Sequence, residues 1–327
     1  MEAAQAQVFR TELNDRRDRL QAAIAEAEET SHLARLLADV DLALKRLGNG
    51  SFGLCETCHD PIEEDRLRAD PLIRFCIDHL TAEEQRALEQ DLNLASRVQE
   101  HLLPQRQVRF GGWDISYHFE PARVVSGDYC DLLTSDTDEG LFLSLGDISG
   151  KGVAASMLMA HLHATFRSLI PADLPLNRLV ERANRLFGES TLSSHYATLV
   201  CGRARSSGTI ELCNAGHPPP LLVRGGAVTR IKATGLPLGL FGTVEHATTE
   251  VKLSRGDSLV LYTDGISEAR DETGEEYGVD RLARLVGDSH ALPPAEMIAA
   301  LRNDLTAFRS KAPVTDDVTI MSIRRVG

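Results

Sequence analysis

The sequence predicts a layered α+β protein behind an N-terminal helical and cysteine-bearing region. Three observations carry that prediction. The first 47 residues contain neither Gly nor Pro and alternate charged side chains with Leu, Ala and Ile. Three of the chain's six cysteines fall between residues 55 and 76. Beyond residue 105, short β-rich runs are joined by a few pairs of helices set in long insertions. That is the pattern of stacked layers, not of a regular βαβ alternation.

Taken in order, Leu20, Ile24, Leu33, Leu36, Leu37, Val40, Leu44 and Leu47 keep helical spacing in two stretches. The polar break Glu28–His32 between them predicts a helical hairpin over 1–47. Gly48-Asn49-Gly50-Ser51 ends it by supplying positions that tolerate φ > 0, and residues 48–80 form a compact cysteine-bearing segment. Thr81-Ala82-Glu83-Glu84 reads as a capping-box start for a linker helix over 81–104, stopped at Pro104. Its stripe Leu88, Leu92, Ala95, Val98 and Leu102 either packs on its own domain or pairs two copies as a coiled coil. Strands are predicted at Trp113–Phe119, Leu141–Leu145, Tyr196–Arg203, Thr209–Cys213, Pro220–Val223, Ser258–Tyr262 and Val318–Ile323. Helices are predicted at about 153–169, 175–189, 278–286 and 294–308, completing one domain over 105–327.

Composition excludes several functions. Of 327 residues, 48 are Asp or Glu and 35 Lys or Arg, a formal net charge of −13, which opposes the basic field a nucleic-acid binder needs. No apolar run approaches the roughly 20 residues of a membrane span. The N-terminus lacks the apolar centre of a signal peptide, so a cytoplasmic location is expected. Six cysteines are too few for a disulfide scaffold in a chain this long.

The early cysteines have another use. Cys55-x2-Cys58, seventeen residues, then Cys76-x2-His79 is the spacing of a tetrahedral zinc site, with His59 beside the first pair leaving the fourth ligand open. A closed set of four ligands makes such a site structural, and the metal supplies folding energy to a segment with little core of its own. The run GNGSFGLCETCHDPIEEDRLRADPLIRFCIDHL resembles the DksA/TraR-type zinc finger, with His79 where that pattern has a fourth cysteine. Members of that family can act on RNA polymerase. The resemblance therefore implies an alternative for the whole chain, a non-enzymatic RNA-polymerase-binding adaptor with a relic second domain. No obvious acidic tip motif occurs in the hairpin turn.

Four acids stand where strands meet turns: Asp128 in SGDY, Asp147 in GDISG, Asp264 in TDG and Asp317 in TDDVT. Carboxylates gathered at strand ends repel one another unless protons or cations intervene, and their hard oxygens suit Mg2+ or Mn2+. Rival motifs fail. GDISGKG is no phosphate-binding P-loop, since Leu145 and Gly152 occupy its first Gly and its Ser/Thr positions. No Gly-x-Ser-x-Gly elbow and no His-Glu-x-x-His pair occurs.

Over residues 94–325 the runs LASRVQEHLLP, VVSGDYCDLL, LGDISGKGVAASMLMA, CNAGHPPPLLV, TGLPLGL, GDSLVLYTDGISEARDETGEEYG and TDDVTI resemble the SpoIIE/RsbU branch of the type 2C metal-dependent protein phosphatases. The resemblance implies a four-layer α-β-β-α sandwich with two Mn2+ or Mg2+ ions, beside the one structural Zn2+ of the finger. It makes Asp128, Asp147, Asp264 and Asp317, with the Ile148 carbonyl, the metal ligands. It implies hydrolysis of phosphoserine or phosphothreonine by metal-activated hydroxide, on a regulatory protein such as a STAS-domain anti-sigma-factor antagonist. A homodimer through the linker helix, and a regulator docked on the finger, are the further partners implied. Ser126, Cys130 and Lys151 depart mildly from the pattern, and none removes an acid. Arg123 and Lys151 are candidate phosphate holders. His217 reads as a structural turn residue before a general acid, and Cys130, Cys201 and Cys213 as core thiols.

Overall fold

The computed structural model describes residues 3–26, 31–80, 82–134, 140–191, 195–242 and 244–327. It divides into two compact units, Met1–Asp91 and Leu92–Gly327. The expected hairpin turn overlaps residues 27–30, and the expected cap is Thr81; both lie outside the described residues.

In the first unit, α1 (Ala3–Glu26) packs on α2 (Ser31–Asn49), followed by the short α3 (Glu64–Ala69), a 3-10 turn at Ile77–His79 and the start of α4 (Ala82–Leu102). Val40, Ala43 and Leu47 form one buried stripe of α2, spaced as a helix requires. They share a core with Phe9, Leu13, Phe52, Ile62, Leu67, Cys55 and Cys76. Helices and cysteine segment thus bury apolar surface together. Arg46 joins them, donating to the carbonyls of Ser51 and Leu54 and standing 3.5 Å from Glu56. Gly50 and Gly53 take φ of +79° and +80°, which lets the chain turn out of α2.

In the second unit, α4 ends before β1 (Gln107–Phe110), β2 (Trp113–Glu120), β3 (Asp128–Thr134) and β4 (Gly140–Ile148). The helices α5 (Val153–Leu169) and α6 (Leu176–Ser190) lead to β5 (Ala197–Arg205), β6 (Thr209–Ala215), β7 (Leu221–Arg224), β8 (Ala227–Arg230), β9 (Thr249–Lys252) and β10 (Ser258–Tyr262). Then come α7 (Asp264–Ser267), α8 (Val279–Asp288), α9 (Pro294–Arg309) and β11 (Val318–Arg325). Two antiparallel sheets result, ordered β1-β2-β11-β10-β7-β8 and β3-β4-β5-β6-β9.

Side-chain alternation sets the layers. Leu143, Leu145, Leu259, Leu261, Met321 and Ile323 meet between the sheets with Trp113 and Ile115. Phe142, Cys201 and Cys213 face outward onto α5 and α6 through Phe166, Leu179 and Phe187. On the opposite side Val260, Tyr262 and Ile320 meet α8 and α9 through Leu282 and Leu301. This is the four-layer α-β-β-α sandwich. Because the central strands are buried on both faces, they read as continuous apolar runs such as LFLSL and SLVLY.

Four strands escape the sequence pattern: β1, β3, β8 and β9. Three are only four residues long, and they lie at or next to sheet edges with half their side chains or more in solvent contact. The fourth, β3, hides behind Asp128 and Asp131. Asp131 is fully buried, but its carboxylate accepts two hydrogen bonds from Arg167 of α5 (2.8 and 2.7 Å), a partner that local pattern does not reveal. Among the described residues no helix is long and apolar enough to cross a membrane.

Candidate metal centres

The first centre is built by two turns of the finger. Cys55 N–H donates to the Asp60 carbonyl and His59 N–H to the Cys55 carbonyl (2.8 and 3.0 Å), closing a knuckle with His59 at φ +63°. His79 N–H donates to the Cys76 carbonyl (2.9 Å), closing the second. One ligand atom from each of Cys55, Cys58, Cys76 and His79 then lies within 4.8 Å of the others. Cys58 and Cys76 Sγ are 3.8 Å apart, and His79 Nδ1 is 3.2 Å from Cys76 Sγ. His79, not His59, turns inward. Against the desolvation that opposes it, the backbone N–H groups of Cys58, Cys76 and Thr57 pull the Cys55 thiol down to about 6. The Cys58 thiol moves the other way: against the hydrogen bond from the Asp60 backbone, burial and its contacts with the Cys55 and Cys76 sulfurs push it up to about 12. A Cys3His set is what Zn2+ takes. Among the described residues it is the only group of His, Cys and acidic side chains drawn this close.

The second centre sits where the strands of the two sheets end. Asp128 opens β3 and faces Asp147 across the antiparallel register with β4. Asp264 follows β10, and Asp316 and Asp317 precede β11. The sheets are stitched here by threonines. Thr263 Oγ1 donates to Asp128 Oδ2 (3.0 Å), as does Thr319 Oγ1, while Thr319 N–H donates to Thr263 Oγ1 (3.0 Å). Two glycines let the acid-bearing turns close up, one beside each sheet. A Cβ at Gly127 would lie 3.1 Å from the Ile148 carbonyl oxygen, and one at Gly265 only 1.9 Å from the Asp317 carbonyl oxygen.

Burial and mutual repulsion govern the charges. Asp128 is 1% exposed; desolvation, then Asp147, push its carboxyl well above the usual range against the pull of the threonine hydroxyls. Asp147 is pushed up to about 8 by burial and then by Asp264, Asp316 and Asp317, with Lys151 opposing. Asp264 is raised by burial, then by Glu268 and Asp316. Oxygen donors that repel each other this strongly fit divalent cations, which remove both the repulsion and the proton.

The adjacent acids differ. Asp317 Oδ1 accepts from Ala122 N–H (2.7 Å), and its Oδ2 accepts from Ser126 Oγ and Gly127 N–H (2.7 and 2.9 Å). Its carboxylate is thus largely consumed in holding the 122–127 loop. Asp316, which sequence reasoning passed over, acts on both Asp147 and Asp264 and receives Lys151 Nζ at 2.8 Å. Lys151 also donates to the Thr315 carbonyl (2.8 Å), whereas Arg123 is an exposed residue of the 121–127 loop. Thr263 and Thr319, also passed over in the sequence, carry only the signal of lying one and two residues from an acid.

His217 is buried and bonded to Thr198 Oγ1 through Nδ1 (2.9 Å), and its backbone is clasped by Asn214. Desolvation pushes its pKa down to about 3, so the imidazole is neutral and fixed. Cys130, Cys201 and Cys213 are buried, and desolvation raises all three thiols. They are core groups.

Comparison with known proteins agrees with this geometry. Residues 137–326 match the Stage II sporulation protein E (SpoIIE) family, and residues 50–78 the prokaryotic dksA/traR C4-type zinc finger, a match that stops just short of His79. The chain is 24% identical over 244 residues to phosphoserine phosphatase RsbU of Bacillus subtilis, covering 74% of this chain and 72% of that protein. It is 26% identical over 264 residues to protein IcfG of a Synechocystis strain, covering 72% of this chain but only 41% of that protein. Among solved structures, the SiaA-PP2C domain of Pseudomonas aeruginosa superposes with a TM-score of 0.66 at 24% identity, over 75% of this chain and 99% of that one. The RsbU and RsbW domains of a Mycobacterium tuberculosis protein superpose at 0.59 with 28% identity, over 67% and 62%. With its four layers and its acids at the strand ends, the chain belongs to the Stage II sporulation protein E (SpoIIE) family and carries a dksA/traR-type zinc finger ahead of that domain.

Proposed function

We propose that the protein is a cytoplasmic, Mn2+- or Mg2+-dependent phosphatase that removes phosphate from serine or threonine of a regulatory protein. The observation that carries this reading is the convergence of Asp128, Asp147, Asp264 and Asp316 at strand ends, where burial and neighbouring acids raise the carboxyls of Asp128, Asp147 and Asp264. Asp128, Asp147, Asp264 and Asp316 are the proposed ligands together with the Ile148 carbonyl, and Asp317 serves the same centre by bracing the 122–127 loop. Bound there, two divalent cations supply a water of lowered pKa as nucleophile and neutralise charge on the phosphoryl group. Lys151, held beside Asp316, offers an ammonium to a phosphate oxygen. No side chain need become a covalent nucleophile, consistent with thiols that burial keeps protonated.

The likeness to phosphoserine phosphatase RsbU, and to a structure pairing RsbU and RsbW domains, supports a substrate of the partner-switching kind, a phosphorylated STAS-domain antagonist. In the first unit, Cys55, Cys58, Cys76 and His79 hold one structural Zn2+, and the finger offers a surface to a regulator. Leu94 and Val98, four residues apart on α4 and both more than half exposed, are the proposed seam of a homodimer. Phosphate release from phosphoserine STAS-domain proteins, followed with Mn2+ and with chelator, tests the substrate. Release with Mn2+ alone supports it, and turnover that persists in chelator contradicts it.

A further inference from the structure

We propose that Gln99 is a positioning residue for the acid centre, through which α4 sets how tightly the centre holds its cations. The inference rests on the metal-dependent reading above. Gln99 lies one turn from the end of α4 and is 5% exposed, whereas Asn93, Arg97, Glu100 and His101 of the same helix face solvent. Its amide is spent at both ends on a single residue. Nε2 donates to the Ser126 carbonyl (2.7 Å), and Oε1 accepts from Ser126 N–H (3.0 Å).

Ser126 is the hub of the acid centre. Its hydroxyl donates to Asp317 Oδ2 (2.7 Å) and accepts from Asp128 N–H (3.0 Å). The next residue, Gly127, donates its N–H to Asp317 Oδ2 (2.9 Å) and accepts at its carbonyl from Ile148 N–H (3.3 Å). One residue, Ser126, therefore separates the Gln99 amide from Asp128 and Asp317, and Ser126 with Gly127 separates it from the Ile148 backbone. Holding α4 in place does not require this amide, because Leu102 and, just past the helix, Leu103 already pack against two of the domain's three apolar clusters. A buried amide is unfavourable unless both its ends are matched, and here both are matched to the loop that carries Asp128. A helix turns about 100° per residue, so a one-residue rotation of α4 takes the amide off Ser126. The same helix begins at Ala82, three residues past His79.

The test uses zinc-loaded, full-length protein with Gln99→Met, which keeps length and apolar contact but has neither donor nor acceptor. The exposed Asn93→Ala, on the same helix, serves as control. Mn2+ binding is read by titration calorimetry, and separately as the half-saturating Mn2+ for phosphate release. Losing two matched hydrogen bonds should weaken Mn2+ binding on the order of tenfold, with kcat at saturating Mn2+ within about twofold of wild type and Asn93→Ala unchanged. Wild-type Mn2+ affinity in folded Gln99→Met overturns the proposal, as does a loss of kcat that Mn2+ does not restore. Should Gln99→Met not fold, Gln99→Ala is read by the same criteria; failure of both to fold makes Gln99 a folding residue and overturns it too. Calorimetry separates the two readings. A wild type that binds Mn2+ but releases no phosphate overturns the function and leaves the Gln99 comparison standing, whereas one that binds no Mn2+ overturns both.

Discussion

Asp316 and Asp317 are chemically identical neighbours that the fold assigns to different work. Asp317 Oδ1 and Oδ2 together collect three donors from the 122–127 loop, so Asp317→Asn should lower stability by about 1–3 kcal/mol, read as a shift in urea midpoint. Asp316→Asn should leave that midpoint nearly unchanged and weaken Mn2+ binding instead. Equal effects of both substitutions on Mn2+ binding would erase the distinction. The sequence places acids at the mouth of the sheets through their Gly flanks, but it cannot choose within Asp-Asp. That choice depends on how the chain turns before β11, which only the assembled loop decides. Gln99 was unreadable for a similar reason, since a glutamine beside an apolar helical stripe looks like a solvent-facing residue. His217 yields a pH prediction. Its folded pKa of about 3 lies below the ordinary 6.5, so the unfolded chain binds the proton more tightly. Stability is then full above pH 6.5 and falls as pH drops toward 3. Gln in place of His217 should flatten that acid limb of the melting profile measured in chelator, and an unchanged limb would contradict the assignment.

At the scale of elements, legibility followed burial. The central strands β4, β10 and β11 are apolar on both faces and announced themselves, while the short β1, β8 and β9 carry no pattern to read. At the acid-bearing end of the β10–β11 pair the chain packs with no room to spare. A methyl at Gly265 would stand 1.9 Å from the Asp317 carbonyl oxygen, so Gly265→Ala should destabilise the second unit by about 3 kcal/mol through backbone displacement. Differential scanning calorimetry would show the loss, and a wild-type transition would mean the β10–α7 junction is more pliant than the packing indicates. On α4, the inward set Leu92, Ala95, Gln99 and Leu102 leaves Leu94 and Val98 in solvent. If these form a seam between copies, Leu94→Glu with Val98→Glu should convert a dimer to a monomer in light scattering, and an unaltered mass would remove α4 from the interface.

Across the whole molecule, two units carry two kinds of candidate metal site. Cys55 and Cys76 belong both to the zinc set and to the apolar core of Met1–Asp91. Stripping zinc should therefore unfold that unit, because a small metal domain draws its folding energy from the ion. Calorimetry should show two transitions, of which only the Met1–Asp91 one moves on zinc chelation; a single transition that ignores the chelator would contradict this. The second unit depends on the acids, whose raised carboxyls mark a site that fits cations. The most direct measurement is phosphate release from a phosphoserine protein as Mn2+ is titrated into wild type and Asp147→Asn. The account predicts saturable, Mn2+-dependent release by wild type, and a rate for Asp147→Asn lower by at least about 100-fold together with lost Mn2+ binding. Release by Asp147→Asn equal to wild type, or none by wild type at any Mn2+ concentration, would contradict it.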